Sequence, residues 1–158
     1  MTIRNRTAVH AVPVPASPLA DGNLPRVDWA DAFAAPIPPG AAPDPAHWVD
    51  RVFHRPPPWV LAAMAARNAL VAPLGLKTPP SASKGFPVLG RTDDEMLMGL
   101  DDRHLDFRVS VLVRDGILTV ATRVRIRNAL GRAYFAPVRL VHPVVVRAML
   151  ARAVARAS

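Results

Sequence analysis

From His104 to Arg114 every second residue is large and apolar: Leu105, Phe107, Val109, Val111 and Val113. This is the mark of a strand with one buried face. Asp115-Gly116 follows, a pair that accepts positive φ at both positions of a two-residue hairpin turn. The turn sets the five apolar residues against Ile126, Val124, Thr122, Val120 and Leu118, all apolar but Thr122. The other face sets Asp106 against Arg125 and Arg108 against Arg123. A slip by one residue would destroy this sorting, so the pattern dictates the register. Such a hairpin belongs to an antiparallel sheet with one apolar face, which another element must cover.

Glu95 to Asp101 extends the meander. A tight turn at Asp102-Arg103 would place Met96, Met98 and Leu100 beside Val109, Phe107 and Leu105. Phe86 to Leu89 adds a short strand, with Pro87 suited to an edge. The covering element is the C-terminal helix, which starts at Pro137 or Pro143 and runs to about Ala157. Its apolar stripe is Val145, Val146, Met149, Leu150 and Ala153, with His142 one turn before on the same side.

Sixteen of the 18 prolines precede Val88, so the first half is short elements between breaks. Residues 1–25 read as an extended or flexible arm, and 26–158 as a single domain. Val27 to Ile37 supplies a strand. Asp44-Pro45 starts a helix, an N-cap acid followed by proline at the first helical position. Its apolar pairs are Trp48/Val52 and Val49/Phe53, and Pro56-Pro57-Pro58 ends it. A second helix spans about Pro58 to Ala72, with Trp59, Val60, Ala63, Met64, Leu70 and Val71 on one face and Arg67 in the middle of it.

The net charge of +8 is unevenly placed. Residues 116–158 hold eight arginines and no acid, a surface able to attract phosphates, an anionic membrane or an acidic partner. Arginine outnumbers lysine 18 to 2, so codon usage accounts for much of this bias. With no cysteine there is no disulfide and no thiolate chemistry. No apolar run has the length of a membrane span, and Pro13, Pro15 and Pro18 break any signal-peptide core. The expectation is a soluble, cytoplasmic protein.

The order strand, two helices, antiparallel meander, long helix resembles the helix-grip fold of the START-like (SRPBCC) superfamily. There a curved sheet wraps the last helix and encloses an apolar cavity. The text from Val27 to Phe33, Pro57-Pro58-Trp59-Val60, Arg67-Asn68-Ala69-Leu70 and Leu74-Gly75-Leu76-Lys77 is similar to a bacterial family. So, above all, is the run Gly99-Leu100-Asp101-Asp102-Arg103-His104-Leu105-Asp106-Phe107-Arg108. That family is known as domain of unknown function 2867, and the resemblance covers about residues 26–157. Its members also resemble a module joined to short-chain-dehydrogenase-like domains. This chain lacks a glycine fingerprint for a dinucleotide, so no cofactor is implied. The fold expected is α+β: a meander gripping a long C-terminal helix, with two helices inserted after the first strand.

Arg67 is the most informative candidate, because a guanidinium on an apolar face must find a partner. Either Asp101, Asp106 or Asp31 pairs with it, or it holds the anionic group of a ligand. Trp59, Met64, Met98, Phe107, His142 and Met149 are the further ligand-binding candidates that the cavity fold implies. His104 and Asp106 share a strand face, where they form either an acid–base pair or, for Asp106, an ion pair with Arg125. By register that face turns away from the core, toward solvent or a partner subunit in a homodimer. His142 is either a satisfied core histidine or a catalytic group. His47 and His54 share one side of a helix without a third ligand, so no metal is expected. Five serines with no Gly-x-Ser-x-Gly elbow speak against a serine hydrolase.

Three functions compete. The first is binding of a small, largely apolar or amphipathic ligand between sheet and helix. The second is a cyclase, dehydratase or isomerase on the same fold, working by proton transfer. A titratable pair facing the cavity separates these two. The third is a basic surface for anionic partners; no nucleic-acid module accompanies it, so specific nucleic-acid binding is not expected.

Overall fold

The computed structural model describes residues 8–75 and 86–157. Asp115 and Gly116 take φ of 54° and 73°, the positive pair that a two-residue turn demands. The turn joins β5 (Leu105–Arg114) to β6 (Ile117–Ile126) in the expected register, Leu105 opposite Ile126 through Arg114 opposite Ile117. Around this hairpin stand β1 (His10–Ala11), β2 (Trp29–Pro36), β3 (Val88–Arg91) and β4 (Glu95–Asp101). All six pair antiparallel in the order β1-β2-β6-β5-β4-β3.

The β4–β5 turn lies one residue later than expected. Asp101 lies opposite Asp106, and Asp102 N–H donates to the Leu105 carbonyl at 3.0 Å, so the turn centres on Arg103-His104. Met96, Met98 and Leu100 therefore face Val111, Val109 and Phe107. The shift of two residues leaves every side chain on its expected face.

Three helices complete an α+β domain in a helix-grip arrangement. They are α1 (Pro45–Phe53), α2 (Pro58–Val71), which continues into a short turn at Ala72–Leu74, and α3 (Ala129–Ala155). The Asp44 carboxylate accepts from Ala46 N–H and caps α1. Trp48 and Val52 of α1 sink into the core beside Phe33, Val111, Leu118, Val120 and Leu150, and the Trp48 indole N–H donates to the Ala42 carbonyl at 2.8 Å.

α3 begins eight residues before Pro137. Asn128 caps it by accepting from Gly131 N–H at 3.0 Å, and both Pro137 and Pro143 lie inside the helix. Gly131 sits so close to the His104 carbonyl that a Cβ there would collide with it. The Asn128 cap sets the early start, and Gly131 lets the first turn lie against the β4–β5 turn.

α2 departs further from expectation. Of its predicted apolar face only Val60 and Val71 are buried, while Trp59, Met64 and Leu70 are exposed. α1 and α3 already fill the apolar face of the sheet, so α2 lies outside it.

The polar face of the sheet is also covered, and by the chain itself. Ser17, Ala20 and Leu24, from the lead-in before β2, are buried together with Glu95, Arg108, Ser110 and Arg123. The Ser17 hydroxyl donates to Glu95 Oε1 at 2.6 Å, and Ser110 donates to the same oxygen. Arg108 donates to Asp101 at 2.7 Å and to Asn23; Arg123 donates to the Pro15 carbonyl at 2.8 Å. This corrects the expectation of a face open to solvent or a partner subunit. Arg108 and Arg123 stand directly opposite each other. The lead-in separates their demands by bringing Asn23 to one and Asp21 and a carbonyl to the other.

Candidate functional site between sheet and long helix

Trp29 and Asp31 alternate on β2 with Phe33, so all three point to the apolar face, where Asp31 stands opposite Thr122 of β6. α3 crosses above them. Its Phe135 meets the Trp29 ring edge-on at 5.1 Å between centroids, and its His142 meets the same ring at 5.3 Å. His142 Nδ1 lies 3.1 Å from Asp31 Oδ2, both side chains about four-fifths buried. The other oxygen, Asp31 Oδ1, is buried and has no hydrogen-bond partner among the described residues. Such an orphaned acceptor is costly unless something donates to it.

This pair combines two properties that chemistry needs. With its proton on Nδ1, His142 donates a hydrogen bond to Asp31 and keeps a lone pair on Nε2, the orientation of a general base. Asp31 Oδ1 meanwhile offers an acceptor to any hydroxyl or N–H that enters. The surroundings are aromatic and apolar, which strengthens both interactions.

Eight positions toward the N-terminus of α3, about 12 Å away along the helix, Tyr134 receives Arg67. The guanidinium donates from Nε to the Tyr134 hydroxyl at 2.8 Å and from Nη1 to Asn68 Oδ1, and it lies 5.3 Å from the Tyr134 ring centroid. Arg67 thus leaves α2 on the side of α3, as its angular position requires. Of the carboxylates considered for it, Asp31 is engaged by His142, Asp101 by Arg108, and Asp106 by Arg125 and Arg127.

The other candidates are dispersed. Met98 lies inside the core, and Met149 packs against it. Phe107 is half-buried on β5, in the same row of the sheet as Trp29 with Val124 of β6 between them, and meets Phe86 edge-on at 4.9 Å. Trp59 and Met64 are exposed on α2. His104 sits by Asn128, not by Asp106. Asp106, 1% exposed, takes Arg125 at 3.4 Å and both oxygens from Arg127 Nε at 2.9 Å. The carboxylate holds the Arg127 guanidinium above its ordinary pKa, mainly through that hydrogen bond. This is the cross-strand ion-pair reading of Asp106. A surface cleft lined by His47, Arg51, Arg55 and Arg156 lies elsewhere, between α1 and the end of α3. His142 was legible in advance; Trp29 and Asp31 as its companions were not. Their signal was the period-two spacing with Phe33.

A family model described as "Protein of unknown function (DUF2867)" matches residues 23–149. The chain belongs to this family. The match runs from the lead-in segment beside β2 to the last turns of α3, so Trp29, Asp31, Phe135 and His142 all lie within it. No curated protein and no solved structure matches the chain. Among the described residues no helix is long and apolar enough to cross a membrane.

Proposed function

We propose that this member of the DUF2867 family binds a small, largely apolar molecule between β2 and α3, in the manner of START-like proteins. Trp29 and Phe135 supply the apolar wall, and Asp31 with His142 anchors the ligand's polar group. The observation that carries the reading is the buried, unpartnered Asp31 Oδ1 beside an aromatic wall. A ligand hydroxyl, N–H or protonated carboxyl donating to it removes a penalty of about 1–3 kcal/mol. Native mass spectrometry of the purified protein should show a bound small molecule that Asp31→Ala releases without loss of a cooperative melt. An empty spectrum, with no melting shift from a panel of phenols, alcohols and apolar acids, overturns the proposal.

One observation favours a second reading on the same site. The oriented His142–Asp31 pair is the titratable pair that separates an isomerase or dehydratase from a carrier. In that case Nε2 removes a proton from carbon, and Asp31 stabilises the imidazolium. Exchange of a bound ligand's C–H for solvent deuterium, abolished in His142→Gln, is its signature. Binding without any such exchange leaves the carrier function alone.

A further inference from the structure

α3 is apolar on two opposite sides. Phe135, Val146, Leu150 and Ala153 face the core. At 100° per residue Pro137, Leu140, Val141, Val144 and Ala151 fall on the reverse side, and all five are exposed. Leu140 is 73% and Val144 58% exposed. An outward stripe with spacings of three and four is the pattern of a helix that buries that side against something. The Arg67–Tyr134 bond ties α2 to one flank of the stripe; α2 exposes Trp59 and Leu70 on one side of its axis and Leu61 and Met64 on another. Arg147 borders the other flank, its guanidinium 5.0 Å from the Phe33 ring centroid; Arg132 and Arg139 project farther round toward the core side, are exposed, and make no ion pair among the described residues. Neither helix contains an acid.

We propose that the outward face of α3, together with α2, docks on an anionic lipid bilayer. An apolar band flanked by cations and free of acids is complementary to acyl chains beneath negative headgroups. Trp59 has the amphipathic ring that settles at such a boundary. Charge decides against a second copy. An antiparallel self-complementary pairing would bring both sets of arginines to one rim, and a parallel one would set each against a flank, with no acid on either helix to meet them in either case. Shape decides against an amphipathic peptide, which needs a groove, whereas these are convex helix surfaces. The reading stands apart from the Asp31–His142 site.

Co-sedimentation of the full chain with phosphatidylglycerol-containing vesicles tests it, against vesicles of phosphatidylcholine alone. Binding should require the anionic lipid and weaken with salt. Arg132→Gln and Arg139→Gln should each reduce it about fivefold. The double variant Leu140→Asp/Val144→Asp should lose binding by more than tenfold while keeping the wild-type melt, because both positions are exposed. Should that variant misfold, tryptophan fluorescence supplies the test: a blue shift on anionic vesicles that vanishes in Trp59→Phe. Wild-type protein that ignores anionic vesicles, or binds them unaltered by both sets of changes, overturns the proposal. So does a dimer in gel filtration that Leu140→Asp dissolves without any vesicle binding, which would give the stripe to a second copy.

Discussion

The two faces of the sheet are equally hidden from water, yet they are hidden by different chemistry. On one, Phe33, Val111, Leu118 and Val120 meet Trp48, Val52 and Leu150 of the helices. On the other, Glu95, Arg108 and Arg123 meet a lead-in of serine, asparagine, aspartate and a backbone carbonyl, Ser110 joins Glu95, and Asp106 is held by Arg125 and Arg127. Apolar burial is non-directional and scales with area, so the first face tolerates rearrangement as long as volume is conserved. Buried charges demand specific partners at specific distances, so the second face specifies a register and a path for residues 15–24. The lesson is that alternation of polar and apolar residues marks two faces. It does not mark one of them as wet.

The comparison can be broken by substitution. Trp48→Ala empties the centre of the apolar layer and should cost about 3–5 kcal/mol in denaturant unfolding. Asp106→Ala removes the acceptor shared by Arg125 and Arg127. Both arginines retain some solvent, so the loss should be about 2–3 kcal/mol, below that of a fully buried pair. A loss under about 1 kcal/mol, the value of an exposed pair, would show that the polar layer is not a packed one. Phe107→Ala sharpens the contrast within the apolar face: its ring is half-buried at the margin, and about 2 kcal/mol is expected, less than for Trp48. Ser17→Ala withdraws one donor from Glu95 and the acceptor of Ala20 N–H, and should cost about 1–2 kcal/mol.

The smallest effect belongs to surface carboxylates outside both layers. Asp28 is held below its ordinary 3.8, first by the Ile126 N–H and then by Arg26. Asp50 is lowered by His54, and Asp94 by Arg114 and Thr92. A carboxyl whose folded pKa is depressed stabilises the fold above its unfolded value, and that contribution is lost as pH falls through the folded one. Melting temperature should therefore be level above pH 5 on this account and decline below about 4. Asp28→Asn should flatten the acid limb, since it removes one of the groups that titrates; an unchanged limb would remove Asp28 from the explanation.

Elements with a strong local signature were readable from the chain alone. The Asp115-Gly116 hairpin follows from turn chemistry and a period of two, and α1 from its Asp44-Pro45 start and the prolines after it. These signals act between neighbours or across one turn, so no distant partner is needed to interpret them. The extra turns of α3 start from the Asn128 cap but run on through Pro137 and Pro143, which local rules read as breaks. The exposure of α2 depends on α1 and α3 having filled the sheet first. The site divides in the same way. His142 on a helix face and Asp31 on a strand face each look ordinary in the text, 111 positions apart. Their pairing, and the acceptor left open beside Trp29, arise where α3 crosses β2, because a long-range crossing is settled by the packing of whole elements and leaves no local trace in either one.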